Sequence, residues 1–517
     1  MMPTLNELKQ KWFLDFSVGH LAFPPIVRYP GCTVSNHTDG NLVTPLIDGE
    51  AYMTRWYILV ELLQAGSEVY HSAAWLESVL TARTLPDRLN YDQNSDSLQV
   101  MKRARDRGVD YRILLNFQSN ATETNLPTLH WLRDNGFGSP LSPLPGDRIS
   151  VDKRYPVTGS IHAKYIVIKN PADPTKGSAL VASCDLVKGR WDSQDHLFPW
   201  PLRQTTYPSH EITVEVKGPA VADIERSFRD RWNDDSDPYS EVFARLTPIS
   251  TPVVTPPQNV GTHSVQVLHT YGITYGFRGY SWSPHGEFTI WASYLNAIRE
   301  AQTYIYIEEQ YLLASGWPPA HNQTESSRYR DTDIIYQLGE ALRRGVKVII
   351  LLPQKSEDGT SKFQVYQRRL AISYLANIAA TESRELVVAY LRRVVGDRDA
   401  GVYVHGKLMI VDDEFVLLGS ANICQRSMAH DGELQLGIVD AQNQFARDLR
   451  EALWRHHLET SNLPPDFIAA YNLFKSRVNN SEGLMRPFPT DHPGEKPTGH
   501  ITLITHLVDP YAGPERS

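Results

Sequence analysis

Two stretches of the chain repeat one order of apolar and polar positions. Residues 52–63 place apolar side chains at helical spacing, and residues 66–70 follow with a β-forming run. Residues 291–299 and 303–307 do the same in the second half. A further pair comes next. A helix end at 101–107 closes on Gly108 and gives way to an apolar run at 109–115; 342–344, Gly345 and 346–352 match it. Glycine suits the residue after a helix, because it takes a positive φ without a Cβ clash. Helix alternating with strand predicts an α/β fold with mixed or parallel sheets.

The repeat extends to polar residues. Residues 161–168 and 404–412 predict strands, and period-two alternation puts His162 with Lys164, and His405 with Lys407, on one face. A second β-run follows each, at 178–185 and 415–422, so that Ser183 answers Ser420 and Asp185 answers Asn422. Third strands, at 210–216 and 432–438, open on Glu211 and Glu433. Helical segments at 228–232 and 449–454 also correspond. These matches divide the chain into halves at 1–246 and 263–517. Between them, the prolines of 247–262 predict an extended linker, with a loop packed against one domain as the alternative. Residues 1–45 show no clear periodicity, and the stretch after about residue 476, rich in Pro, Gly and His, predicts irregular structure.

Composition narrows the function. Lys+Arg total 51 and Asp+Glu 59, a net charge of −8, which disfavours a protein that grips nucleic acid through its phosphates. The three cysteines, Cys32, Cys184 and Cys424, are too few and scattered for a disulfide framework or a Cys-rich zinc site. No run approaches the roughly 18–20 apolar residues of a spanning helix, and the first 16 residues lack a leader's apolar core. Asn36, Asn120, Asn322 and Asn479 open N-x-[ST] triplets that carry little weight without a secretory signal. The expected location is cytoplasmic or peripheral to a membrane, with export lacking a cleaved leader left open.

With these residues in view, the chain resembles the phospholipase D superfamily, marked by a doubled H-x-K-x4-D motif with a G-[SG]-x-N-like sequel. His405, Lys407, Asp412, Gly419, Ser420 and Asn422 match in full; His162 and Lys164 match, with Lys169 at the Asp position. Gly189-Arg190-Trp191-Asp192 with His196 resembles the GRWD…H stretch of the eukaryotic-type enzymes, and residues 305–311 resemble their YIENQ(F/Y) run. The resemblance covers roughly residues 45–460. It implies two homologous α/β halves with pseudo-twofold symmetry, central mixed β-sheets and one site at their interface.

The chemistry accounts for the residue types. Cleaving a phosphodiester takes a nucleophile, a proton donor for the leaving oxygen, and positive charge around the phosphate. One imidazole can attack phosphorus while the other protonates the leaving alcohol. Lys164 and Lys407 supply charge, and Ser183, Asp185, Ser420 and Asn422 are the candidate phosphate-binding group. Asp185, as a carboxylate, is expected to pair with Lys164 or Arg190 instead of facing phosphate. Glu211 and Glu433 are expected to hold the histidine rings, as the family's acidic residue does there; solvated sheet-edge carboxylates are the alternative. Asp412, Arg190 and Asp192 are supporting residues, and His71, His196 and His210 are weaker pocket candidates. No metal or other cofactor is required, and no H-E-x-x-H or comparable ligand set is present.

Fifteen positions separate His405 from Ser420, but twenty-one separate His162 from Ser183; the excess falls in a Pro/Gly turn at 169–177. The missing Asp therefore reads as structural and the first site as intact, against the alternative of a degenerate site. The expected activity is hydrolysis of phosphatidyl diesters such as phosphatidylcholine to phosphatidic acid and a head-group alcohol, with transfer to a primary alcohol competing with water. Its expected partner is a phospholipid at a membrane surface, not nucleic acid. Rival readings are a phosphatidyltransferase of cardiolipin or phosphatidylserine synthase type, a nuclease, and a dead phosphate-binding module. By resemblance to the bacterial enzymes His162 is the nucleophile and His405 the general acid/base. The near-equivalence of the halves does not itself decide between them.

Overall fold

The computed structural model describes residues 3–490, apart from 20–23, 86–87, 117–118, 140–144, 153–158, 171, 206, 235–245, 254–255, 273–279, 314–330 and 355–361. Asn322, Pro171, Val254, Thr255 and the tail 491–517 lie outside the described residues.

In chain order the first half comprises α1 (Leu5–Trp12), β1 (Thr38–Ile47), α2 (Asp48–Glu61), β2 (Glu68–Ala73), α3 (Ser97–Asp106), β3 (Asp110–Asn116), α4 (Ser119–Asp134), β4 (Ile149–Asp152), β5 (Tyr165–Lys169), β6 (Ser178–Ala182), β7 (Ser209–His210), β8 (Ile212–Lys217) and α5 (Ala220–Trp232). The second comprises β9 (His263–Tyr271), β10 (Glu287–Phe288), α6 (Thr289–Glu300), β11 (Tyr304–Glu309), α7 (Ile334–Arg343), β12 (Lys347–Leu351), α8 (Lys362–Thr381), β13 (Leu386–Val395), β14 (Arg398–Val404), β15 (Lys407–Val411), β16 (Phe415–Gly419), α9 (Gln425–Ala429), β17 (Gly432–Asp440), α10 (Phe445–Leu458), α11 (Phe467–Asn479) and β18 (Met485–Pro487).

The local signals act alike in both halves. Asp96 and Asp333 cap α3 and α7 by accepting from the backbone N–H of Gln99 and Tyr336. Gly108 (φ +89°) and Gly345 (φ +93°) then take the left-handed turn that leads into a strand.

The sheets repeat as well. The first runs β1-β8-β6-β5-β2-β3-β4, antiparallel as far as β2 and parallel beyond it. The second runs β9-β17-β16-β15-β11-β12-β13 with the same senses. An antiparallel contact between β1 and β9 (Asn41 opposite His263) joins them. The result is the mixed α/β fold expected, with one mixed sheet per half. The inner faces of both sheets share a core with α5, α10 and α11, from Tyr165 and Val214 to Leu408, Leu434 and Trp454. Outer faces pack separately, on α2 and α3 in the first half and on α6, α7 and α8 in the second. Strands covered on both faces read as continuous apolar runs, which is why β12 and β15 show little alternation.

Three expectations change. Residues 1–45 contain a helix whose capping box joins Thr4 and Glu7, and the start of β1. The stretch after about residue 476 holds the last residues of α11 and the short β18, which pairs with β13. The segment expected to be an extended linker lies, over residues 246–253, against α5. Trp232 Nε1 donates to the Thr247 carbonyl (3.1 Å), Arg229 donates to that of Thr251 (2.6 Å), and Ile249 is buried. Prolines remove donors, but the carbonyls still accept, and α5 supplies the N–H groups.

Candidate active site

The two H-x-K segments were expected inside strands. His162 and Lys164 lie just ahead of β5, and His405 just ahead of β15, which Lys407 opens, because each tip docks on the opposite half. The backbone N–H groups of His162 and Ala163 both donate to the Gly432 carbonyl at 2.8 Å, next to Glu433. Likewise β14 pairs in parallel with β7, and His405 N–H donates to the His210 carbonyl at 2.9 Å, next to Glu211. This crossing delivers each imidazole to the carboxylate of the other half. His162 Nδ1 lies 2.9 Å from Glu433 Oε1, and His405 Nδ1 lies 2.9 Å from Glu211 Oε2. Carboxylates accept, so each Nδ1 carries the hydrogen and each Nε2 is left with its lone pair. His162 keeps 19% of its side chain accessible and His405 6%.

Each carboxylate is itself held. Glu433 accepts from Ser420 Oγ (2.6 Å) and Ser427 Oγ (2.7 Å). Glu211 accepts from Ser183 Oγ (2.6 Å) and Ser209 Oγ (3.1 Å), with Arg190 Nε 3.4 Å away. Ser183 and Ser420 were expected on the phosphate. A hydroxyl has one hydrogen, and theirs point at the carboxylates, while their oxygens accept from Ile212 and Leu434 N–H. Asp185 is also turned away: it accepts from Ala74 N–H at 3.0 Å and lies 3.8 Å from Lys164 Nζ. Asn422 remains as the candidate phosphate ligand; it is buried, and its Oδ1 has no partner among the described residues.

The lysines are aimed by main-chain carbonyls. Lys164 Nζ donates to the His162 carbonyl (2.8 Å), and Lys407 Nζ to the His405 carbonyl (2.6 Å) and Gln310 Oε1 (3.0 Å). Burial pulls the Lys407 ammonium down to about 7, with Lys164 and Arg190 adding repulsion. Burial also pushes Glu433 up to about 7. Both imidazoles are held well below their ordinary range: His162 by burial and then Lys164 and Lys407, His405 by burial and then Arg190 and Lys407. His162 also adds to the repulsion at His405, so the two share one field. The ensemble suits a bound monoanion, whose charge offsets this cost.

The remaining candidates are placed as follows. Asp412, at φ +54°, accepts from the backbone N–H of Gln302, Thr303 and Tyr304 at 2.8–2.9 Å and so ties the turn after β15 to the start of β11. Lys169 extends β5 opposite Glu68 and forms a buried ion pair with Glu68 (2.7 Å) and Glu225 (2.8 Å). A cation bridging two carboxylates thus stands where the second half uses a carboxylate on backbone N–H groups. Arg190 lies over the Tyr403 ring, and Asp192 accepts from His196, Arg203 and Ser209 N–H. His71 sits in the first half's core with Tyr111, away from these groups. His210 is enclosed by Asp48 (2.7 Å) and Glu308 (2.8 Å), behind Glu211. Sequence reasoning missed Ser209, Ser427 and Gln310. Gln310 stood inside the 305–311 run already singled out; the serines carried no signal.

A family model described as "Phospholipase D" matches residues 147–374, and one described as "Cardiolipin synthase, PLD-like domain" matches residues 294–457. The chain is 24% identical to phospholipase D alpha 1 of Zea mays, over 83% of this chain and 67% of that protein. It is 25% identical to phospholipase D alpha 3 of Arabidopsis thaliana, over 62% of this chain and 51% of that one. Thus it spans between about half and two thirds of these relatives' length. Among solved structures, a phosphatidylserine synthase from Haemophilus influenzae is similar at a TM-score of 0.49 and 14% identity, covering 85% of this chain and 93% of that one. The Nuc protein of Salmonella typhimurium is similar at 0.24 and 22%, covering 37% and 91%. The chain belongs to the phospholipase D superfamily.

Proposed function

We propose that this chain is a phosphodiesterase of phospholipase D type, which cleaves phosphatidyl diesters to phosphatidic acid and a free head-group alcohol. The observation that carries this reading is the crossed pairing: two imidazoles, each held through Nδ1 by a buried carboxylate of the opposite half, beside two directed lysines. In this reading Nε2 of His162 attacks phosphorus. The N–P bond forms as the P–O bond to the head group breaks, and His405, protonated when the diester binds, gives its Nε2 proton to the leaving oxygen. His405 then takes a proton from water, whose oxygen attacks phosphorus as the N–P bond breaks. Lys164, Lys407 and the Asn422 amide stabilise the charge on the phosphoryl oxygens. A primary alcohol can replace water in the second step.

The match of residues 294–457 to the cardiolipin synthase model favours a second reading, in which transfer to an alcohol outruns hydrolysis. Either way the substrate lies at a lipid surface; no described helix is long and apolar enough to cross a membrane. The test is incubation with mixed phospholipid vesicles plus ethanol, read by mass spectrometry. Phosphatidic acid with some phosphatidylethanol is expected. Phosphatidylethanol as nearly the sole product selects the second reading, and neither product from any phosphatidyl lipid overturns both.

A further inference from the structure

Behind Glu211, away from the two catalytic candidates' free Nε2 atoms, four histidines gather with Asp48. One ligand atom from each of Asp48, His196, His210 and His456 lies within 4.8 Å of the others. Their hydrogen-bond inventory is unbalanced. His196 Nδ1 lies 2.9 Å from Asp192 Oδ2, and His456 Nε2 lies 2.7 Å from the Gln194 carbonyl oxygen. Both partners are acceptors, so these nitrogens carry the hydrogens. His196 Nε2 and His456 Nδ1 therefore present lone pairs. Asp48 Oδ1 already accepts from His210 Nδ1 (2.7 Å) and Glu211 N–H (3.1 Å), leaving Oδ2. Those three atoms, Asp48 Oδ2, His196 Nε2 and His456 Nδ1, are buried without a hydrogen-bond partner among the described residues. Three lone pairs gather with no protein donor between them, an arrangement that costs free energy unless a cation or a donor fills it. The neighbouring trio of His210, Glu308 and His457 differs in that Glu308 accepts from both rings, although His457 Nδ1 too is buried without a partner among the described residues.

We propose that Asp48, His196 and His456 bind one divalent transition-metal ion of the zinc class. Two imidazoles and a carboxylate are a donor set that Zn2+ favours, with a fourth position for water. The outer partners fit too: Asp192 and the Gln194 carbonyl fix the two tautomers, as acceptors behind metal-bound histidines do. Asp192 is fixed in turn by Arg203 at 2.9 Å and by Ser209 N–H at 2.9 Å. His196 Nε2 and Asp48 Oδ2 stand 3.8 Å apart. Ligands bound at about 2.0–2.1 Å in a tetrahedron lie roughly 3.3 Å apart, so this pair closes by about half an ångström on binding, and His456 moves in from within 4.8 Å. The ligands come from the start of α2, the loop after Asp192, and α10 of the second half. The ion is therefore a clamp between the halves. It steadies Asp48, whose other oxygen receives the Glu211 N–H, and takes no part in the phosphoryl steps.

The test uses the full chain, free of any affinity tag and stripped with a chelator, with Zn2+ alone as probe. One equivalent is expected to bind, as read by elemental analysis after gel filtration, and to raise the melting temperature. Co2+ in its place is expected to give the visible absorption of a four-coordinate site with nitrogen and oxygen ligands. His456→Ala, at a half-exposed position, is expected to weaken Zn2+ binding by more than the roughly 100-fold that loss of an outer partner can cost, and to abolish the thermal shift. Absence of stoichiometric metal and of any shift in the unmodified chain overturns the proposal. Equal binding by His456→Ala and His196→Ala does so as well.

Discussion

At the scale of single residues, the site depends on how few hydrogens its buried groups share. In Glu433→Gln the side chain keeps its shape but no longer offers a charged acceptor to His162 Nδ1. The fold should persist by circular dichroism while turnover falls by about 10²–10⁴-fold, as in other imidazole–carboxylate pairs; an unchanged rate refutes the role. Trapping by rapid quench without acid, followed by peptide mass spectrometry, should place phosphate on the His162 peptide. Phosphate on the His405 peptide alone reverses the two roles and leaves the mechanism standing. Lys407 sets a pH limit. Burial lowers its pKa from the ordinary lysine range to about 7, so its charge is lost as pH rises through that value. The rate at low substrate should therefore fall above about pH 7. The saturated rate should hold to higher pH, because a bound diester anion favours the charged form. Stability on this group's account moves the other way. Between pH 7 and the ordinary lysine value the unfolded chain binds the extra proton, so stability rises across that window.

At the scale of elements, the β5–β6 turn accounts for the motif's missing Asp. Asp412 is a turn residue of the second half, its carboxylate bound to backbone N–H groups. In the first half the strand runs one residue further and Lys169 bridges Glu68 and Glu225. Lys169→Ala leaves buried Glu68 without its counter-charge and Glu225 with Arg229 alone, and should cost about 3–5 kcal/mol. Lys169→Asp, which restores the family's letter, should be worse, since it sets three carboxylates together. Urea denaturation checks both, and a stabilised Lys169→Asp would show that the position tolerates either device. The elements themselves were largely legible. The paired helix–glycine–strand units and the alternating third strands fell where the periodicity put them, because each is fixed by local caps and by one apolar face. The H-x-K tips did not, since their conformation is set by docking on the other half, a partner over 190 residues away for His405 and Glu211. The destinations of the Ser183 and Ser420 hydroxyls were hidden for the same reason: a motif names a side chain but not which acceptor its one hydrogen meets.

At the scale of the whole molecule, the repeat and the site are one fact seen twice. Neither sheet holds a complete imidazole–carboxylate pair; each pair forms only across the halves, and the buried groups behind the site reinforce the crossing. Glu308, from the second half, accepts from His210 of the first (2.8 Å), from His457 (2.9 Å) and from the Tyr306 hydroxyl (2.5 Å). His210 has only Asp48 as its other counter-charge, and the bonds from its partners keep the Glu308 carboxyl far below its usual range despite burial. Replacing Glu308 with Gln keeps the volume but puts an amide N–H₂ toward at least one donor and leaves His210 with a single carboxylate. Breaking a buried charge pair in this way should cost about 3–5 kcal/mol. Because the shared inner core draws on both sheets, the loss should move the unfolding of the entire chain. Guanidinium denaturation followed by tryptophan fluorescence and by far-ultraviolet circular dichroism should give one coincident transition, shifted to lower denaturant in Glu308→Gln with its slope unchanged. Buried tryptophans report on each half, Trp56 and Trp191 on the first, Trp291 and Trp454 on the second. Two separated transitions in the unmodified chain would mean that the halves fold as independent units and that the crossed contacts add function without cohesion.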